Sequence, residues 1–159
     1  MTFQNEQIDK TSTTLTRTNW ISIGTMIVLL LFTSFVQKIT FLAVLPAAAA
    51  KIYFAAIVIA IITIPLSNWM FNKRIKRIRS NDPTELSLRI YRVAFFTKLI
   101  IVFSAFIVNL TFYFFSNNTH LLIVGAIYIV YQMIALPSKE GLFEIIGIEP
   151  DKDNVEQVF

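Results

Sequence analysis

The chain contains no cysteine and a single histidine, His120, and no carboxylate falls within residues 10–81 or 86–139. Without cysteine there is no disulfide, no thiolate metal site and no cysteine nucleophile. A lone histidine with no second histidine or glutamate at ligand spacing makes no metal centre, so His120 reads as an interfacial residue. Only four glycines are present, and none belongs to a phosphate-cradling loop. Intramembrane catalysis would need paired acids, or serine with histidine or lysine; Ser104 and Lys98 stand six positions apart, on different faces of a helix. The sequence therefore predicts a non-enzyme, with no catalytic residue, no cofactor-binding residue, no metal ligand and no cofactor.

Charge is scarce as well. Of 159 residues, 15% are charged and 55% hydrophobic, against about a quarter charged in an ordinary soluble domain. The apolar residues are gathered into blocks, at residues 20–36, 52–70, 93–115 and 121–136. A spanning helix needs roughly 20 such residues, and its backbone polar groups must be satisfied within the helix because lipid offers no partner. Four transmembrane helices are expected. The first block follows a polar segment and has no small-residue cleavage site at a suitable distance, so it reads as a retained helix and not a signal peptide.

Basic residues set the orientation. Lys73, Arg74, Lys76, Arg77, Arg79, Arg89 and Arg92 lie between the second and third blocks, with only Asp82 and Glu85 opposing them. The first connection holds Lys38 and Lys51, and the last, Ser116-Asn117-Asn118-Thr119, holds none. The positive-inside rule places residues 71–92 in the cytoplasm, and an even helix count brings both termini there. The net charge of +4 is thus a topology signal, and no nucleic-acid partner is expected. The run Lys73, Arg74, Lys76, Arg77 and Arg79 is the candidate contact for anionic lipid of the inner leaflet or for a protein partner.

Along the chain, residues 1–16 are polar and expected to be mobile or loosely interfacial. Arg17 and Trp20 stand where a cationic anchor and an interfacial ring belong. Ser22, Thr25, Thr33 and Ser34 are expected to bond back to their own helix turn. Residues 37–51 either extend helix one or lie in the interface. Ala56 and Ala60 permit close helix packing, and Pro65 is expected to kink helix two. Asp82, Pro83 and Glu85 match an N-cap, a first-turn proline and an N3 acid, and an unbroken helix from there to residue 115 would be about 50 Å long.

Lys98 is the only ionisable residue inside a predicted span. It reads as an anchor that snorkels to the inner headgroups, with a coupling or substrate site as the competing reading. Asn109 lies deeper and can join helices by a hydrogen bond, and the two form the candidate intramembrane polar site. Phe112, Tyr113, Phe114 and Phe115 read as an outer aromatic belt. Beyond Pro137, Ser138 caps an amphipathic helix carrying Leu142, Phe143, Ile145 and Ile146, suited to the inner surface or to docking on the basic hairpin. The acidic tail at Glu149, Asp151 and Asp153 could face the basic run.

The sequence Pro137-Ser138-Lys139-Glu140, followed by Leu142, Ile145, Ile146 and Ile148 after a last apolar helix, resembles the ending of a group of small bacterial four-helix inner-membrane proteins, usually left uncharacterised. The resemblance covers residues 91–148, including the Arg92-Val93-Ala94 opening of helix three. It implies an architecture and a bacterial inner membrane, with no activity to transfer. Arg17 and Arg92 precede helices one and three alike, and Pro65 and Pro137 fall near the inner ends of helices two and four. Such a duplication would be similar to the proteolipid rotor subunits of rotary ATPases, but these, like the small multidrug exporters, need a membrane carboxylate that this chain lacks.

The expected fold class is all-α: a polytopic membrane protein, a four-transmembrane-helix bundle with N and C termini cytoplasmic. Its parts are a polar N-terminal segment at 1–19, the transmembrane domain at 20–136 with the cytoplasmic hairpin 71–92, and an amphipathic helix with acidic tail at 137–159. Three functions stay open: a non-enzymatic membrane subunit or scaffold with a protein partner or a homo-oligomeric state, a small oligomeric transporter or channel, and a membrane immunity protein against a pore-forming toxin.

Overall fold

The computed structural model describes residues 2–39, 46–78, 82–116, 118–137 and 139–146. Every element among them is an α-helix: α1 (Thr2–Ile39), α2 (Pro46–Ile75), α3 (Thr84–Ser116), α4 (His120–Ile134) and α5 (Lys139–Ile146). Three helices, α1, α2 and α3, are long and apolar enough to cross a membrane, and α4 is a shorter apolar helix of 15 residues.

Pairings between helices give the topology. Asn19 of α1 meets Gln132 of α4 while Leu30 approaches Gly125, so α1 and α4 run antiparallel. Phe71 of α2 meets Tyr91 of α3 while Ala56 packs with Tyr113, so these two are antiparallel as well. Tyr53 beside His120 and Ser67 beside Tyr131 make α2 and α4 parallel. The result is an up-down-up-down bundle, the arrangement that short connections favour.

Its exterior is apolar. Phe32, Phe35 and Phe54 are each more than 60% exposed, an arrangement that water would penalise and lipid welcomes. The exposed large apolar side chains run from Trp20 to Phe35 on α1 and from Phe54 to Trp69 on α2, each a belt about 24 Å tall at 1.5 Å per residue. The chain is a membrane protein by this belt and by the length of its helices.

The interior of α1 follows a seam in which Ile8, Ser12, Leu15, Asn19, Ser22 and Met26 are all buried. Their alternating steps of four and three keep one side of the helix against its neighbours. The seam begins well before the apolar block, so residues 2–16, expected to be mobile, instead form the first turns of a 38-residue helix. The physical reason is tertiary: Ile8 and Leu15 have Leu88, Tyr91 and Phe95 of α3 and Leu142 of α5 to pack against.

Three other expectations are corrected in detail, and one left open is decided in part. Helix two starts at Pro46 rather than residue 52, with a proline in the first turn, where its missing N–H costs nothing. Residues 37–39 extend α1, while 40–45 lie outside the described residues. The amide of Ser87 donates to the Pro83 carbonyl at 3.1 Å, so Pro83, and not Asp82, occupies the capping position, and α3 is 33 residues long. Tyr113 belongs to the core with Ala56 and Leu121 and not to an aromatic belt. Helix α2 ends at Ile75, so Lys73 and Arg74 are helical and Lys76 and Arg77 form the turn after it.

Helix α5 forms as its amphipathic pattern predicts, and it docks on α1 and the first turns of α3. Leu142 is completely buried there. Of the two expected placements, docking on the basic hairpin is the one formed, through Leu88 and Tyr91 of α3, and the apolar strip on the N-terminal half of α1 completes the seat. A Leu142→Ala substitution removes about 2 kcal/mol or more of packing, and hydrogen exchange across residues 139–146 is expected to accelerate more than about tenfold. The acidic tail at 149–153 lies outside the described residues.

Candidate functional site

The end of the bundle that carries the basic residues also gathers a group of buried polar side chains. Asn19 Nδ2 donates to the Gln132 carbonyl at 3.2 Å, and Gln132 Nε2 donates back to Asn19 Oδ1. Both side chains are almost fully buried. Beside them the Tyr131 hydroxyl donates to Asn68 Oδ1 at 2.8 Å and lies 3.0 Å from Ser67 Oγ. Ser67 Oγ also reaches the Ile64 carbonyl at 2.8 Å, one position before Pro65, which lies inside α2. These bonds tie α1 to α4 and α4 to α2 in one layer.

Lys98 enters this layer from α3. It occupies a step of the buried series Leu88, Tyr91, Phe95, Val102, and its Nζ sits 5.3 Å from the ring centroids of both Phe71 and Tyr131. A helical side chain leans toward its helix N-terminus, which carries the ammonium toward the basic end of the bundle. It travels there between α2 and α4, with two aromatic faces supplying cation–π attraction, and not along the lipid. Its stem thus points toward the basic end while its ammonium lies between helices.

Asn109 is buried at the opposite end. Its Nδ2 donates to the Leu121 carbonyl at 2.9 Å, holding α3 to the first turn of α4, as a helix-joining asparagine should. Lys98 and Asn109 are about 16 Å apart along α3 and have different partners, so the structure does not bring them together as one site. The hydroxyls of Thr25 and Thr33 bond back to the carbonyls four residues earlier, as expected. Ser22 Oγ, Gln132 Oε1 and Asn109 Oδ1 are buried without a partner.

The basic run divides. Lys73 lies over the Trp69 ring at 4.8 Å, a cation and an indole at the edge of the apolar belt. Lys76 is exposed, and Arg79 lies outside the described residues. Arg74 and Arg77 instead turn to α3, where they line a groove of about 280 Å³ with Leu86, Arg89, Ile90 and Val93. A second groove, of about 350 Å³, separates the start of α1 from α3 and mixes Lys10, Arg92 and Glu85 with polar residues. Among the described residues no cluster of three metal-ligating side chains occurs.

Reasoning from sequence overlooked Asn19, Gln132, Ser67, Asn68 and Tyr131 as a unit, and left Arg89 out of the candidate contact. Leu86, Arg89, Ile90 and Val93 follow an i, i+3, i+4, i+7 spacing that marks one helix face, a signal that was present. For the polar pairs, a single amide in each apolar block gives no indication of its mate.

No protein-family model matches the chain, no curated protein matches it, and no solved structure matches its fold.

Proposed function

We propose that this is a non-enzymatic, multi-pass subunit or scaffold of a bacterial inner membrane, with four crossing helices and both termini in the cytoplasm. The observation that carries the reading is the packed cap at the basic end, where Ile8, Leu15, Leu88, Tyr91, Phe95 and Leu142 join α1, α3 and α5 into a rigid platform. Met26, Val102, Phe106 and Tyr128 fill the bundle above it, so side-chain packing occupies the axis that a conducting path would use. The fourth crossing is supported by length: α4 spans about 22 Å, close to the 24 Å belts of α1 and α2. The inward position of the basic end is supported by Arg74, Arg77 and Arg89 clustering there.

Because the chain has no cysteine, any introduced one is a unique reporter of sidedness. Thr119→Cys is expected to react with an impermeant maleimide from outside the cell only, and Glu6→Cys and Lys76→Cys only after the membrane is opened. Labelling of Thr119→Cys from the same side as Lys76→Cys would remove the fourth crossing. The competing transporter reading draws on one observation, the ammonium of Lys98 turned inward between Phe71 and Tyr131. Purified protein in liposomes is expected to pass no ion under an imposed gradient. A flux that Lys98→Met abolishes would transfer the assignment to transport.

A further inference from the structure

The groove between the end of α2 and the start of α3 combines two features that usually occur apart. Its described lining holds three guanidiniums, Arg74, Arg77 and Arg89, and three aliphatic side chains, Leu86, Ile90 and Val93. Like charges placed this close repel one another, and an anion between them relieves the repulsion. Guanidinium is the side-chain cation suited to phosphate, since its fork donates two parallel hydrogen bonds to one group. The aliphatic ridge has a different meaning. Leu86 and Val93 are 44% and 45% exposed, so the groove offers apolar surface to whatever the arginines hold.

Depth selects the occupant. Trp69 and its companion Lys73 mark the edge of the apolar belt on α2, and Arg74 and Arg77 follow one turn beyond. On α3 the order is reversed, from Leu86 and Arg89 into Val93 and the lipid-facing Phe96. The cationic part of the groove, with Leu86 beside it, thus sits at headgroup height, and Ile90 and Val93 run from it into the acyl region. At about 280 Å³ the cavity is at the small end of ligand sites, room for a phosphate-bearing headgroup whose chains stay in the bilayer.

We infer that the α2–α3 groove is a binding site for an anionic glycerophospholipid, its phosphate held by Arg74, Arg77 and Arg89 and its first acyl segment lying on Ile90 and Val93. Basic pockets between helices at the cytoplasmic membrane surface are suited to anionic headgroups. The inner-leaflet origin of the lipid rests on the orientation proposed above, while the site itself rests on the groove alone. A bound lipid would lower the positive charge of the hairpin and clamp α2 against α3 beside the cap, stiffening the platform.

The test is native mass spectrometry of the full chain in mild detergent, with phosphatidylglycerol, phosphatidylcholine or glycerol 3-phosphate added. Phosphatidylglycerol is expected to be retained over phosphatidylcholine. The variant R74Q/R77Q/R89Q should bind it on the order of a hundredfold more weakly, while K10Q/R17Q/K51Q, which removes equal charge elsewhere, should bind as the parent does. Should the triple variant fail to fold, the exposed single variants Arg77→Gln and Arg89→Gln are each expected to weaken binding about fivefold. Equal losses in groove and control variants, or no preference for phosphatidylglycerol, overturn the site. Glycerol 3-phosphate held as tightly as the lipid overturns the lipid assignment in favour of a soluble anion. Sidedness is read by cysteine labelling without added lipid, so lost selectivity with normal labelling defeats the site alone. Inverted labelling with selectivity intact defeats the orientation alone.

Discussion

A Gly125→Val substitution is expected to destabilise the bundle by about 1–3 kcal/mol, the range for overpacking a filled interior. A Cβ at this position would lie 2.7 Å from Leu30 Cδ1, 3.3 Å from Asn109 Nδ2 and 3.6 Å from Phe106 Cε2. Alanine displaces the flexible end of Leu30 and pushes Asn109 Nδ2 by a few tenths of an ångström, and its cost should be smaller than that of valine. Valine adds two methyl groups against Asn109 and Phe106 as well, and so disturbs the hydrogen bond from Asn109 to the Leu121 carbonyl. Gly24 is the internal control, because a Cβ there meets nothing within 4 Å. Gly24→Ala should be neutral or stabilising by up to about 1 kcal/mol. Unfolding of the detergent-solubilised protein, followed by circular dichroism against temperature or added SDS, reads all three, with the expected order Gly24→Ala, Gly125→Ala, Gly125→Val from most to least stable.

The second large effect is expected at Asn19 and Gln132. Each amide is buried and each is the other's hydrogen-bond partner, so Asn19→Leu or Gln132→Met alone leaves an unsatisfied polar group inside the bundle. A single change should cost about 1–3 kcal/mol. Replacing both removes the polar groups together, and the double variant should be more stable than the sum of the singles predicts. The coupling from the resulting cycle is expected at about 1 kcal/mol, since hydrogen bonds between membrane helices average below that and reach about 1.7 kcal/mol. Additive losses would mean that the two amides act through separate contacts.

Both effects lie on helix faces that the composition only partly discloses. The apolar blocks announce the membrane and the presence of long apolar helices, because a bilayer demands continuous hydrophobicity on every lipid-facing turn and that demand is local. Pro137 ending α4 and the apolar spacing of Leu142 and Ile145 in α5 are likewise local signals. The N-terminal half of α1 was misread for the complementary reason. Its polar residues are many, and its buried seam alternates Ile8 and Leu15 with Ser12, Asn19 and Ser22, a pattern that looks solvated until α3 and α5 are in place.

Lys98 shows the same division within one residue. Its charge, its depth and the direction of its stem follow from position in the chain, but whether the ammonium met headgroups or rings depended on where Phe71 and Tyr131 came to lie. The groove is similar: Arg74 and Arg77 were conspicuous in the basic run, and Arg89 joined them only when α2 and α3 packed antiparallel.

By itself, then, the sequence determined an all-helical membrane protein, the approximate course of its helices and the end at which positive charge collects, all of which depend on neighbours within a few turns. The tertiary structure alone decided that the first residues are a docked helix, that Asn19 finds Gln132, and that three arginines share a groove. Those outcomes depend on which faces of distant helices meet, and between apolar helices that choice is made by shape and by a few polar pairs, with little trace in the composition of any one segment.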